Sequence, residues 1–171
     1  MKSKKLTVAL FAFYLLALSA IILFKTRLSF AFLHYKFTFV MDVERSVNLI
    51  PFGAMLHLNG KPSYNEILYN ALVFLPFGIF ISMLRTKKSF VNLIVLIILT
   101  SLLFEVLQYI FALGASDITD LIANTLGGIA GIGIFFVFHK LCKDHVDKVL
   151  NTIALVCEIG FVLLLCMIRF A

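Results

Sequence analysis

The sequence predicts an all-α membrane protein with about five transmembrane helices and an outer-face segment, interfacial or re-entrant, between the first helix and the second. Of the 171 residues, 62% are hydrophobic, and the mean hydropathy is +1.07. Several apolar runs approach the ~20 residues that an α-helix needs to cross a bilayer, and the period-two alternation typical of a membrane β-barrel is missing. We therefore interpret residues 1–171 as a single membrane domain.

The formal net charge of +6 comes from basic residues that form short clusters beside the apolar runs. Such clusters set the orientation of a membrane protein and attract anionic lipid headgroups. We therefore expect the lipid bilayer as a partner and no nucleic acid. The three cysteines form no CxxC pair and have no metal-ligand spacing, so we interpret them as small apolar residues of the helices.

The apolar run 6–24 follows Lys2, Lys4 and Lys5, and no small-residue cleavage site comes after it. We therefore predict an uncleaved first transmembrane helix with its N-terminus in the cytoplasm. The other four predicted spans are 63–84, 91–113, 117–139 and 150–168.

The basic residues between the spans predict the orientation of the bundle. The N-terminus and the loops 85–88 and 140–148 are rich in Lys and Arg, whereas the turn 113–116 has neither. Five spans with a cytoplasmic N-terminus satisfy all of these preferences, because short cytoplasmic loops carry the excess of basic residues. The segment 25–62 and the turn 113–116 then share the outer face.

The segment 25–62 mixes aromatic and charged residues. Its alternating stretch KFTFV, at 36–40, indicates a short strand or an extended interfacial segment. The piece NLIPFGAML, which begins at Asn48, is too apolar for a free loop and contains a proline. We therefore expect this piece to be interfacial or re-entrant and to pack on the bundle.

Two neighbouring helices each carry polar residues on one face, at separations of three and four residues. A tight turn joins these helices, so they must be antiparallel neighbours. Their polar faces together predict an acidic cleft that opens to the outer face. The residues are Ser101, Glu105 and Gln108 on the third helix and Asp117, Asp120 and Asn124 on the fourth.

Glu105 is the residue of this cleft that most requires an explanation. A carboxylate at the centre of a transmembrane helix costs about 2.5–3.5 kcal/mol. It should therefore be paired, protonated or in contact with water. Arg45, in the outer segment, is the candidate partner.

The other residues of the cleft have structural alternatives. Asp117 and Asp120 have capping-box spacing at a helix start, so capping competes with a functional role. Gln108 and Asn124 are residue types that also hydrogen-bond between membrane helices. A divalent cation held by Glu105 and the two aspartates stays open, because hard cations prefer oxygen ligands, but nothing in the sequence requires one.

Two further features lie outside this cleft. Gly127 and Gly131, with Ala123 one turn earlier, form a small-residue stripe that predicts close helix packing. Glu158 lies in the middle of the fifth span, where it is either protonated or faces a partner copy.

Four motifs follow one another along the chain: NLIPF, NALVFLPFG, FEVLQ and SDITDLIANTLGG. In these motifs the sequence resembles the VanZ-like family of bacterial membrane proteins, over a core of about 48–138, with additional helices at 6–24 and 150–168. The resemblance implies a bacterial plasma-membrane protein, in some members linked to lowered susceptibility to teicoplanin, without a settled reaction. The family's polar positions correspond to Asn48, Asn70, Glu105, Gln108, Asp117, Asp120 and Asn124.

Three functions are compatible with these observations, and the sequence leaves open whether the protein is an enzyme. The first is binding of a cell-envelope lipid-linked molecule or of the glycopeptide antibiotic. The second is acid–base or metal-assisted catalysis on a lipid-linked substrate by Glu105, Asp117 and Asp120. The third is proton-coupled transport, although no inverted repeat is visible. The candidate substrate-binding residues are Arg45, Asn48, Asn70, Gln108 and Asn124.

Overall fold

A computed structural model of the protein describes residues 2–23, 46–52, 64–84, 89–113 and 116–170, most of them helical. Within these ranges the helices are α1 (Lys2–Leu23), α2 (Asn65–Leu84), α3 (Phe90–Ile110), α4 (Ile118–Cys142) and α5 (Val146–Phe170). The other described elements are the two-residue strands β1 (Val47–Asn48) and β2 (Ser116–Asp117) and the 3₁₀ turn Lys143–His145.

Four helical stretches in the described part of the chain are long and apolar enough to cross a membrane: Lys4–Leu23, Asn65–Leu84, Phe90–Ile110 and Ile118–Met167. The last of these has 50 residues and contains α4, the 3₁₀ turn and most of α5. The helical membrane class is therefore confirmed. The count of five crossings and the re-entrant segment are not confirmed by this finding.

The helix ends differ from the predicted ends by a few residues. The third span was predicted to reach residue 113, but α3 ends at Ile110, and the backbone N–H of Phe111 donates to Leu107 O at 3.0 Å. α5 begins at Val146, four residues before its predicted start, because a short 3₁₀ turn replaces the expected basic loop. The predicted strand at 36–40 lies outside the described residues.

The glycine stripe of α4 brings this helix against α2. A Cβ atom added to Gly127 would lie 2.0 Å from Ala71 O, and one added to Gly131 would lie 2.0 Å from Leu75 O. The two backbones are therefore in direct contact, which confirms the predicted close packing. Ala71 contacts Gly127 and Leu75 contacts Gly131, so the contact positions advance in the same direction along both helices. The helices α2 and α4 are therefore parallel.

Two apolar clusters hold the bundle together. In the first, Leu18, Phe74, Ile97 and Ile132 are fully buried where α1 to α4 meet. The second cluster joins the first half of α1, the end of α2 and the start of α5 through Leu10, Phe80, Met83, Val146 and Leu150. The opposite end of the bundle, where α2 and α4 begin and α3 ends, is where the polar residues gather.

A small parallel β-pair closes this polar end. Val47 pairs with Ser116, and Asn48 pairs with Asp117, while the backbone N–H of Ser116 donates to Ser46 O at 3.0 Å. The pair connects part of the predicted outer segment to the start of α4. It also places Asn48 opposite Asp117 in the register.

Candidate functional site

The polar end of the bundle contains a cluster of carboxylate and amide side chains, here called the polar cluster. Its members come from β1, α2, α3 and the start of α4, and they differ in exposure. Glu105 is 4% exposed and Asp120 is 5% exposed, whereas Asn48 and Asp117 are partly exposed. The members are Asn48, Asn70, Glu105, Gln108, Asp117, Asp120 and Asn124.

Asp117 connects three elements of the polar cluster. Its Oδ1 accepts from the backbone N–H of Thr119 at 2.7 Å, which makes Asp117 the N-cap of α4. Its Oδ2 accepts from Asn48 Nδ2 at 3.1 Å, and its own backbone N–H donates to Glu105 Oε2 at 2.9 Å. Capping, the structural alternative for this residue, is therefore real, and it accounts for one of the two carboxylate oxygens.

Glu105 lies five residues before the end of α3 at Ile110, or about 8 Å at 1.5 Å per residue. Its Oε2 accepts from the backbone N–H of Asp117, at the N-terminus of α4. The unpaired N–H groups and the dipole of a helix N-terminus favour negative charge. This contact explains part of how the bundle tolerates a buried carboxylate. The predicted partner Arg45 lies outside the described residues.

Asp120 joins the polar cluster to α2. Asn70 Nδ2 donates to Asp120 Oδ1, and both side chains are less than 10% exposed. This hydrogen bond crosses the α2–α4 contact that the glycine stripe makes close. Helical periodicity predicts Asp120 on the face toward α3, but its hydrogen bond to Asn70 is made on the α2 side.

The most buried part of the cluster consists of two amides, each 1% exposed. Asn124 Nδ2 donates to Ser101 Oγ at 2.9 Å, and Gln108 Nε2 donates to Ile22 O, in the last turn of α1, at 2.9 Å. Their NH₂ groups therefore connect helices, as the structural alternative predicted. Their carbonyl oxygens have no hydrogen-bond partner among the described residues, which leaves two buried acceptors, each of which costs about 1–3 kcal/mol.

Sequence reasoning missed Thr119. This residue is 6% exposed, and its Oγ1 accepts from the backbone N–H of Phe52 at 2.9 Å. The hydrogen bond fixes the piece that contains NLIPF to the first turn of α4. A threonine at the second position of a helix carries no sequence signal for such a contact, because its partner is a backbone group 67 residues away.

The carboxylates do not form a metal site within the described residues. No group of three His, Cys, Asp or Glu residues there is close enough to hold an ion. Glu105 Oε2 and both oxygens of Asp117 accept hydrogen bonds from N–H groups. The three-carboxylate cation site that the sequence left open therefore fits these described residues poorly.

The fold and the polar cluster define a class: helical membrane proteins with a buried carboxylate–amide cluster at one end of the bundle. The family described as VanZ/LLP1 matches residues 11–139, from the middle of α1 to the last turn of α4. The chain belongs to this family. It is 34% identical over 149 residues to Protein VanZ of Enterococcus faecium, covering 86% of this chain and 84% of that protein. No solved structure matches the chain.

Proposed function

We propose that the polar cluster binds the polar part of a cell-envelope lipid-linked molecule, or of a lipoglycopeptide antibiotic, and thereby lowers susceptibility to teicoplanin. The observation that carries this proposal is the convergence of β1, α2, α3 and α4 on one cluster in which two buried amide oxygens lack a donor from the described part of the chain. Hydroxyl and amide groups of a sugar or peptide are donors of the kind these oxygens require.

The graded exposure of the cluster supports entry from one side. Asn48 and Asp117 are partly exposed and lie at the rim, while Gln108 and Asn124 are 1% exposed. A head group that enters past the rim would meet Glu105, Asp120 and the two buried amides. Hydrogen bonds to charged groups contribute about 1.5–3 kcal/mol each, so two or three would hold a head group well.

The proposal includes five crossings, with the polar cluster at the outer face. The first half of α1 packs beside the start of α5, where Asn151 Nδ2 donates to Thr7 Oγ1 at 2.9 Å. The N-terminal lysines and the basic residues at 140–148 then lie at the same end, as expected for the cytoplasmic side. The polar cluster, at the other end, would face the cell envelope.

The test is teicoplanin susceptibility in cells that produce variants at equal membrane levels. Glu105→Gln and Asp120→Asn keep the side-chain shape and remove the charge, so we expect both to reduce resistance to that of cells without the protein. Glu66→Gln is the matched control, because Glu66 is exposed in the first turn of α2, outside the cluster. Full resistance in both cluster variants would refute the proposal.

Acid–base catalysis is the second candidate function. The observation that favours it is that Glu105 and Asp120 are buried to a similar degree but have different hydrogen-bond partners, a backbone N–H and an amide. Different environments separate the roles of two carboxylates in many acid–base enzymes. Purified protein should then convert candidate lipid-linked substrates, with or without Mg²⁺ or Mn²⁺, and Glu105→Gln should stop the conversion. Unchanged substrates would leave binding as the function.

A further inference from the structure

A cavity lies away from the polar cluster, between α1, α2 and α5. Its volume is about 370 Å³, toward the lower end of the ~300–1,000 Å³ typical of ligand pockets. Met83 and Leu150 line one end, and Ile21 and Phe161 line the other. Between Leu150 and Phe161 the helix advances about 16 Å, so the cavity is elongated along the bundle axis.

Glu158 is the single carboxylate among the residues that line this cavity. Its Oε1 is fully buried, and no hydrogen-bond donor of the described chain reaches it. Tyr14, which also lines the cavity, already donates its hydroxyl to Val73 O at 2.8 Å. A buried acceptor without a donor is costly, and a charged one more so. An occupant of the cavity that carries a hydrogen-bond donor would satisfy this oxygen.

We propose that the cavity binds a single-chain amphiphile whose amine head group donates to Glu158 while its alkyl chain lies along the apolar lining. The elongated shape and the modest volume fit one chain. An amine supplies a hydrogen-bond donor and a positive charge together, and so complements the carboxylate better than a neutral hydroxyl does. No residue of the polar cluster lines the cavity, so this inference does not depend on the proposed function.

Selectivity in this cavity must come from the head group. Lipid tails are as apolar as a leucine side chain, so moving an alkyl chain from the bilayer into the cavity gains little hydrophobic free energy. The pairing of the amine with Glu158 is then the main difference between the bound chain and a chain in the bilayer. An experiment should therefore compare head groups on the same chain.

The chain contains no tryptophan, so one introduced tryptophan is a unique fluorophore. Ile153→Trp places it in the cavity, which Ile153 lines near the Leu150 end, where the alkyl chain would terminate. Leu155→Trp is the matched control, because Leu155 does not line the cavity and projects from the opposite side of α5 at a similar depth. Both variants are reconstituted in phosphatidylcholine vesicles, and dodecylamine or dodecanol with a bromine at the chain end is added as the quencher.

We expect dodecylamine to quench the cavity tryptophan saturably and the control tryptophan only in proportion to its concentration. A hydrogen bond to a charged group corresponds to roughly tenfold or more in affinity, so dodecanol should need about ten times the concentration. Glu158→Gln, added to the variant with the cavity tryptophan, keeps the side-chain shape and removes the charge. Dodecylamine and dodecanol should then quench at the same concentration.

Three results would overturn the proposal. The first is equal, unsaturable quenching at both tryptophan positions. The second is saturable quenching by dodecanol as strong as that by dodecylamine. The third is a cavity tryptophan that is protected from both quenchers in a cross-linkable dimer, since a second copy of the chain would then occupy the cavity.

Discussion

Asp117 both caps a helix and connects members of the polar cluster. One of its oxygens caps α4, and the other accepts from Asn48 on β1. The backbone N–H of the same residue donates to Glu105 Oε2, and this hydrogen bond offsets part of the free-energy cost of burying that carboxylate. A residue that looks like a simple N-cap in the sequence is therefore also the point at which the strand pair, α3 and α4 are joined.

The two roles of Asp117 can be separated by substitution. Asp117→Ala removes the cap and the contact to Asn48, so we expect the free energy of unfolding in detergent to fall by about 1–2 kcal/mol. Asp117→Asn keeps an oxygen for the cap and should recover most of this loss. Asp144→Ala, in the exposed 3₁₀ turn, is the control and should leave the free energy of unfolding almost unchanged. An Asp117→Ala protein as stable as the parent would contradict the assignment of the cap.

At the scale of elements, the sequence predicted the structural features that depend on residues close together in the chain. The polar faces of α3 and α4 and the cap at Asp117 follow from separations of three and four residues. The hydrogen bond between Asn70 and Asp120 could not be derived in this way. The glycine stripe predicts that α4 packs closely against another helix, but it does not identify that helix as α2. The hydrogen bond from the backbone N–H of Phe52 to Thr119 could not be predicted from the sequence either, because any residue type except proline supplies such a donor.

The α2–α4 contact offers a test with a control on the same helix. A Cβ at Gly131 would lie 2.0 Å from Leu75 O, whereas one at Gly133 would meet nothing within 4 Å. Gly131→Ala should therefore force the helices apart, weaken the Asn70–Asp120 hydrogen bond and destabilise the protein by about 1–3 kcal/mol.

Gly133→Ala adds the same methyl group in open space, where alanine is the better helix former by up to about 1 kcal/mol. It should leave stability equal or slightly higher. Thermal unfolding in detergent measures both variants, with teicoplanin susceptibility as the second readout. Equal stability of the two alanine variants would mean that the backbone contact between α2 and α4 does not contribute to the stability of the protein.

At the scale of the whole molecule, the stretch Ile118–Met167 decides how many times the chain crosses the membrane. Its 50 residues would extend about 75 Å as one straight helix, far more than the ~30 Å hydrocarbon core. The backbone reverses instead at Lys143, whose φ of 46° closes α4, and α5 returns to pack against α1. Two crossings fit this geometry, and the proposed orientation would place the turn in the cytoplasm.

Labelling from the two sides of the membrane tests this arrangement. In a background with all three cysteines replaced by serine, we expect Asp144→Cys to react with a membrane-impermeant maleimide only after the cells are opened. Val47→Cys, in β1 beside the polar cluster and 54% exposed, should react in intact cells. Reaction of both positions from the outside would place the 3₁₀ turn and the polar cluster on one face. Because opposite ends of the bundle must face opposite compartments, that result would refute the predicted topology. Reaction of Val47→Cys only after the cells are opened would refute the outward-facing site.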